Sequence, residues 1–89
     1  MNKRLKKLIY QSNHRGTREL DFILGGFSQT LLVGLNAPDL DLYEAILNET
    51  DNDLTDWIMK GIPCPYKKYA SLLEEIRTCS TNQHANLAI

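Results

Sequence analysis

His14-Arg15-Gly16-Thr17-Arg18-Glu19-Leu20-Asp21, running on through Phe22-Ile23-Leu24-Gly25-Gly26-Phe27-Ser28-Gln29-Thr30-Leu31, is the stretch on which the fold turns. Here a basic leader ends, a glycine interrupts the helical pattern and an amphipathic run begins. Leu20, Ile23, Leu24, Phe27 and Leu31 recur at i, i+3, i+4, i+7 and i+11, the strongest helical period in the chain, and predict the central helix of an all-α core. Gly25-Gly26 weakens that helix by about 1 kcal/mol per glycine relative to alanine. The pair therefore predicts either a close helix crossing or a local irregularity. Ahead of the run stand two guanidiniums, Arg15 and Arg18, and two carboxylates, Glu19 and Asp21. A surface that docks on a partner has use for such fork and acceptor groups. Gly16 as an N-cap with Glu19 three residues on is equally an ordinary helix start, and local chemistry leaves both readings open.

On either side the chain reads as helices separated by short punctuation. Leu5, Leu8 and Ile9 fall at helical spacing between lysines and predict a first helix whose apolar stripe fades by Ser12 and Asn13. Its cations sit at the wrong end for the macrodipole, so packing must supply much of its stability. After the central run, Asn36 reads as the N-cap of a third helix, with Pro38 in its first turn and Leu42, Tyr43, Ile46 and Leu47 on its buried face. Thr50 to Asp53 form a break rich in capping residues. Leu54, Trp57 and Ile58 then mark a short fourth helix that stops at Gly61. Trp57 is read as core, with its indole N–H at the rim, rather than as a partner hot spot. Pro63 and Pro65 bracket a rigid connection to a last helix, which carries Tyr69, Leu72, Leu73 and Ile76 on one side. Thr30 to Val33 is the one β-like patch, and it is short. The expected architecture is a single small all-α bundle of about five short helices over residues 1–79, followed by a flexible, polar, aperiodic tail over 80–89.

An 89-residue chain has room for one modest core and none for a cofactor fold plus a substrate domain. The net charge of −1 argues against a general nucleic-acid binder. Its distribution says more than its sum. Residues 1–18 hold Lys3, Arg4, Lys6, Lys7, Arg15 and Arg18 with no acid, whereas Glu19 to Met59 hold nine acids and no Lys or Arg. That polarity predicts an oriented encounter with a partner of complementary charge. Cys64 and Cys79 form no C-x-x-C pair and read as intracellular thiols. A zinc site built from them with His14 and His84 lacks paired ligand spacing and is set aside. No apolar run approaches the roughly 20 residues a membrane span needs. The basic start from Met1 to Lys7 runs straight into helical periodicity instead of a targeting leader, so a cytoplasmic location is expected.

No catalytic constellation emerges. His14 has no Ser or Cys that spacing would pair with it. Asp39/Asp41 and Asp51/Asp53 sit at helix starts, where carboxylates cap and favour the dipole. Gly25-Gly26 lacks the G-x-G-x-x-G pattern and the preceding strand of a dinucleotide fingerprint. The chain is therefore expected to be no enzyme, and any cofactor chemistry to belong to another protein. Two alternatives stand beside a docking role at the corner. These are a DNA-binding regulator using residues 3–18 as a basic arm and an interaction module of the toxin–antitoxin kind.

His14-Arg15-Gly16-Thr17-Arg18-Glu19-Leu20-Asp21, followed by an apolar helix with Phe27 and then Asp51-x-Asp53-Leu54-x-x-Trp57, closely resembles the FAD assembly factors of succinate dehydrogenase. The resemblance runs from about residue 3 to residue 77, and the order and spacing of its two motifs are more specific than either alone. It implies a small all-helical protein that assists covalent attachment of flavin to the flavoprotein subunit, with fumarate reductase as a second candidate client. It also implies a monomer that neither binds nucleic acid nor inserts in a membrane, with FAD held by the client. The family's Arg-Gly-x-x-Glu motif falls on Arg15, Gly16 and Glu19, and Asp21 matches the acid that follows. Many members carry Arg and Met where this chain has His14 and Thr17. The implied partner-binding set is thus His14, Arg15, Gly16, Thr17, Arg18, Glu19 and Asp21. In it Arg15 grips a partner oxygen, Gly16 permits close backbone approach and Glu19 accepts a hydrogen bond. The second motif, Asp51, Asp53, Leu54 and Trp57, reads as structural.

Overall fold

The computed structural model describes residues 3–30 and 32–87, with side chains described as far as Cys79 apart from that of Val33. Five α-helices follow one another: α1 (Lys3–Asn13), α2 (Arg18–Thr30), α3 (Ala37–Leu47), α4 (Asp51–Leu54) and α5 (Ala70–Leu87). A 3₁₀ turn at Leu32–Gly34 follows α2, α4 passes into a π turn at Thr55–Met59, and a second 3₁₀ turn at Lys67–Tyr69 leads into α5. There is no strand among the described residues, and the all-α bundle expected from the periodicity is what forms. None of the described helices is long and apolar enough to cross a membrane.

The predicted stripe of α2 is the centre of the core. Leu20, Ile23, Leu24 and Phe27 are all buried, and α1 and α5 pack on either side of them; Leu31 lies outside the described residues. Tyr43, Ile46 and Leu47 of α3 close the core, as do Leu54, Trp57 and Ile58 of the fourth segment and Leu72, Leu73 and Ile76 of α5. Gly25 resolves the choice its sequence left open. A Cβ there would lie 2.3 Å from Asn13 Oδ1, so the glycine is the point where α1 and α2 cross closely.

Local capping follows the sequence at two of three helix starts. The Asp39 amide donates to Asn36 Oδ1 at 2.9 Å and the Asp53 amide to Thr50 Oγ1 at 3.1 Å. At α2 the cap is Thr17 rather than Gly16, with the Leu20 amide donating to Thr17 Oγ1 at 3.2 Å. The reason is backbone geometry: Gly16 has φ of +104°, outside the range an N-cap uses. Gly61 ends the fourth segment with φ of +72°, as expected of a C-terminal glycine. The π turn before it is closed by the Lys60 amide on the Thr55 carbonyl at 3.0 Å. The Trp57 carbonyl in this turn accepts from Arg77 Nη1 at 2.7 Å, which ties the turn to α5. The Trp57 side chain is core, in edge and tilted contact with Tyr66 and Tyr69.

The stretch read as a break is helical from Asp51, so α4 covers the capping residues and Trp57 and Ile58 lie in the π turn. Two further features depart from the pattern read in the sequence. The buried face of α1 does not fade at Ser12, which is fully enclosed. Its hydroxyl lies 2.7 Å from the Leu8 carbonyl and 2.5 Å from the Tyr43 hydroxyl, which in turn has the Leu24 carbonyl at 3.5 Å. Burial pushes the Tyr43 hydroxyl up to about 12. At the other end, helical backbone continues through Leu87, past the point at Ser80 where the sequence lost its period. The side chains of 80–89 lie outside the described set.

Candidate functional site

The corner between α1 and α2 is built from its own residues. α1 ends at Asn13, the chain turns at Gly16, and α2 starts after the Thr17 cap. Asp21, one turn into α2, reaches back so that its Oδ1 accepts the Arg15 amide at 2.5 Å. His14 lies exposed on the other side, its ring stacked on Tyr10 with centroids 4.0 Å apart. Gly16→Ala is expected to lower stability by about 1–2 kcal/mol, because a Cβ is strained at positive φ. It would also sit 3.4 Å from Asp51 Oδ2. Chemical denaturation of the variant measures this directly.

The Arg15 side chain turns inward. Its Nε donates to Asp51 Oδ1 at 3.0 Å, Nη2 lies 2.9 Å from the same oxygen, Nη2 donates to the Glu49 carbonyl at 2.8 Å, and Nη1 donates to the Leu47 carbonyl. The guanidinium thus fills the gap between the C-terminus of α3, where unpaired carbonyls favour a cation, and the first turn of α4, where Asp51 sits. Only 15% of the Arg15 side chain is exposed. It clamps the two sequence motifs together. Asp51 likewise does more than favour a helix start. The charge polarity of the sequence is partly consumed in the same way, since Arg4 pairs with Asp41 at 2.5 Å and Glu44 at 3.1 Å on α3.

Of the seven corner residues, His14, Gly16, Arg18 and Glu19 face solvent. Arg15, Thr17 and Asp21 hold the corner from within. Arg18 and Glu19 form one wall of a shallow groove of about 280 Å³, completed by Phe22, Ile23 and Met59. Phe22 and Met59 are 46% and 45% exposed. Neither was picked out from the sequence. Phe22 could have been, because it is an aromatic off the buried stripe of α2, three residues after Glu19 and four after Arg18. Met59 could not, because the π turn that aims it into the groove leaves no period to read. The groove offers an acceptor carboxylate, a guanidinium fork and an adaptable apolar floor. Those are means of docking.

The candidates for other chemistry are scattered. Cys64 Sγ contacts the Tyr66 amide at 3.4 Å and Cys79 Sγ lies 3.7 Å from Thr30 Oγ1. No group of three possible metal-binding side chains gathers among the described residues; the His84 side chain lies outside them. Gly25 is committed to the α1–α2 crossing, away from any loop that could cradle a phosphate.

Comparison with known proteins gives this arrangement its relatives. Residues 6–80 match the family model described as "Flavinator of succinate dehydrogenase". The chain is 34% identical over 91 residues to "Succinate dehydrogenase assembly factor 2, mitochondrial" of Candida glabrata, covering 98% of this chain and 60% of that protein. The protein of the same name from Saccharomyces cerevisiae is also 34% identical over 91 residues, with 56% of its length covered. "FAD assembly factor SdhE" of Acetobacter pasteurianus is 36% identical over 73 residues, covering 82% of this chain and 67% of that protein. The chain therefore spans less than two thirds of the yeast proteins it matches. With both motifs inside the matched segment and clamped to each other, the chain belongs to the family of succinate dehydrogenase flavinators.

Proposed function

We propose that this chain is a non-catalytic assembly factor that docks on the flavoprotein subunit of succinate dehydrogenase and promotes covalent attachment of its FAD. The observation that carries this reading is the coincidence of the family match with a rigidly mounted corner. Arg15 and Asp21 hold the turn, and Gly16, Arg18 and Glu19 stand on its outer side above an apolar groove. Glu19 accepts from a cation or an amide of the client, Arg18 donates to a carboxylate or carbonyl, Gly16 lets the two backbones approach, and His14 borders the contact. Phe22 and Met59 supply the apolar centre of the footprint.

Covalent flavinylation joins a histidine of the client to the 8α carbon of the flavin, so the reacting groups must be held near their productive geometry. A small rigid binder that favours the client conformation with those groups aligned raises the rate without touching the reacting atoms. FAD stays with the client throughout. Fumarate reductase is a second client of the same chemistry. The chain acts as a monomer in the cytoplasm, without nucleic acid as a partner. A DNA-binding arm over residues 3–18 is disfavoured by the internal use of Arg4 and Arg15.

The test expresses the flavoprotein subunit in cells lacking their own assembly factor and reads covalent flavin fluorescence after denaturation. Glu19→Ala is expected to lower the signal about tenfold at unchanged thermal stability, in line with loss of one charge-assisted hydrogen bond worth about 1.5–3 kcal/mol. Equal flavinylation with and without the intact chain, at good expression, refutes the proposal.

A further inference from the structure

Resting on that reading, we infer that the client footprint extends from the corner along the solvent face of α1, where a cationic and aromatic stripe meets an acidic surface of the flavoprotein. At about 100° per residue, Lys3, Lys6, Lys7 and Tyr10 fall within an arc of about 100°, over a length of about 11 Å, and His14, just past the end of α1, stacks on Tyr10. All five are exposed, Tyr10 by 64%. This arc is opposite the face that buries Leu8 and Ser12.

Three observations separate the stripe from an ordinary solvated face. The first is charge segregation within one helix. Arg4, which looks toward α3, is matched by Asp41 and Glu44, whereas the three lysines make no ion pair with any described residue. Second, these cations occupy the first turns of α1, where the macrodipole opposes positive charge and no acid offsets it. Helix stability does not account for them. Third, the stripe is continuous with the corner, because His14 belongs to both. His14 is fixed to it: the Tyr10 carbonyl can only accept, so the 2.7 Å contact places the proton on His14 Nδ1 and locks the ring flat against Tyr10. The result is a rigid aromatic pair between a row of ammonium groups and the docking groove. A large exposed aromatic supplies contact area, and unpaired rim lysines accelerate encounter with a surface of opposite charge.

The experiment measures association and dissociation of the intact chain with the FAD-loaded flavoprotein subunit by stopped flow at low and high salt. The variant Lys3→Glu/Lys6→Glu/Lys7→Glu is expected to lower the association rate about tenfold at low ionic strength and to approach wild type at high salt, because exposed charges are screened there. Tyr10→Ala is expected to raise the dissociation rate about tenfold while helix content is retained. If both variants bind like wild type while Glu19→Ala weakens binding, the extended footprint is wrong and the corner reading stands. If wild type does not bind, the corner reading falls first. Loss of binding to vesicles containing phosphatidylserine, with unchanged flavoprotein kinetics, assigns the stripe to an anionic lipid surface and overturns the inference.

Discussion

Arg15→Ala is expected to destabilise the chain by about 3 kcal/mol, which for a domain of this size lowers Tm by roughly 15 °C. The substitution removes one guanidinium and strands three acceptors: the Asp51 carboxylate and the carbonyls of Leu47 and Glu49. Breaking a fully buried ion pair costs about 3–5 kcal/mol, because the remaining charge is left without a partner in a poor solvent. Asp51 retains 34% exposure and rehydrates in part, which places the effect at the lower end of that range. Arg15→Lys keeps the charge but not the planar fork that serves a carboxylate and two carbonyls together, so it is expected to recover less than half of the loss. A double-mutant cycle with Asp51→Ala measures the coupling directly, and about 1 kcal/mol or more is expected for residues in one network. The same variant separates scaffold from contact. Flavinylation lost at unchanged Tm would move Arg15 to the partner surface and contradict the clamp.

Phe27→Ala is expected to cost about 4 kcal/mol, the largest effect of any single truncation considered, measured as a fall in the denaturant midpoint at constant m. Phe27 is fully buried on α2, with its ring centroid 5.3 Å from that of Tyr43. The surroundings resist collapse into the vacated volume. Tyr43 is tied through its hydroxyl to Ser12 on α1, and the α1–α2 crossing is set by the contact of Gly25 with Asn13. A cavity that cannot close retains its full penalty, whereas Phe27→Leu keeps most of the volume and is expected to cost about 1–1.5 kcal/mol. Since small domains are stable by only about 5–15 kcal/mol, the alanine variant leaves little margin at physiological temperature. A loss under 1 kcal/mol would mean that α2 is not the element around which the core condenses.

These two residues mark opposite ends of what could be read in advance. Phe27 was legible, because its burial follows from a spacing that any amphipathic helix must show. Arg15 was legible as important, but its inward contacts were not. A charged residue beside a glycine turn fits an outward fork as well as an inward clamp, and its local neighbours do not distinguish them. Thr17 as the actual cap of α2 was hidden for a related reason. Gly16 is a permissible cap by residue type, and only its positive φ removes it. Of the groove, Arg18 and Glu19 were marked from the motif, and Phe22 and Met59 were not.

What the sequence by itself determined is everything that interactions within about one helical turn can specify. The five helices, the caps at Asn36 and Thr50, the stop at Gly61 and the buried face of α2 all follow from period and local hydrogen-bonding chemistry. The tertiary structure alone decided which distant groups meet. Arg15 finds Asp51 across 36 residues, Tyr43 finds Ser12 across 31, and Met59 joins Phe22 over the groove. Those meetings depend on crossing angles and on a π turn that rotates one segment against its own helical register. No local pattern encodes a pairing that exists only once the helices have packed.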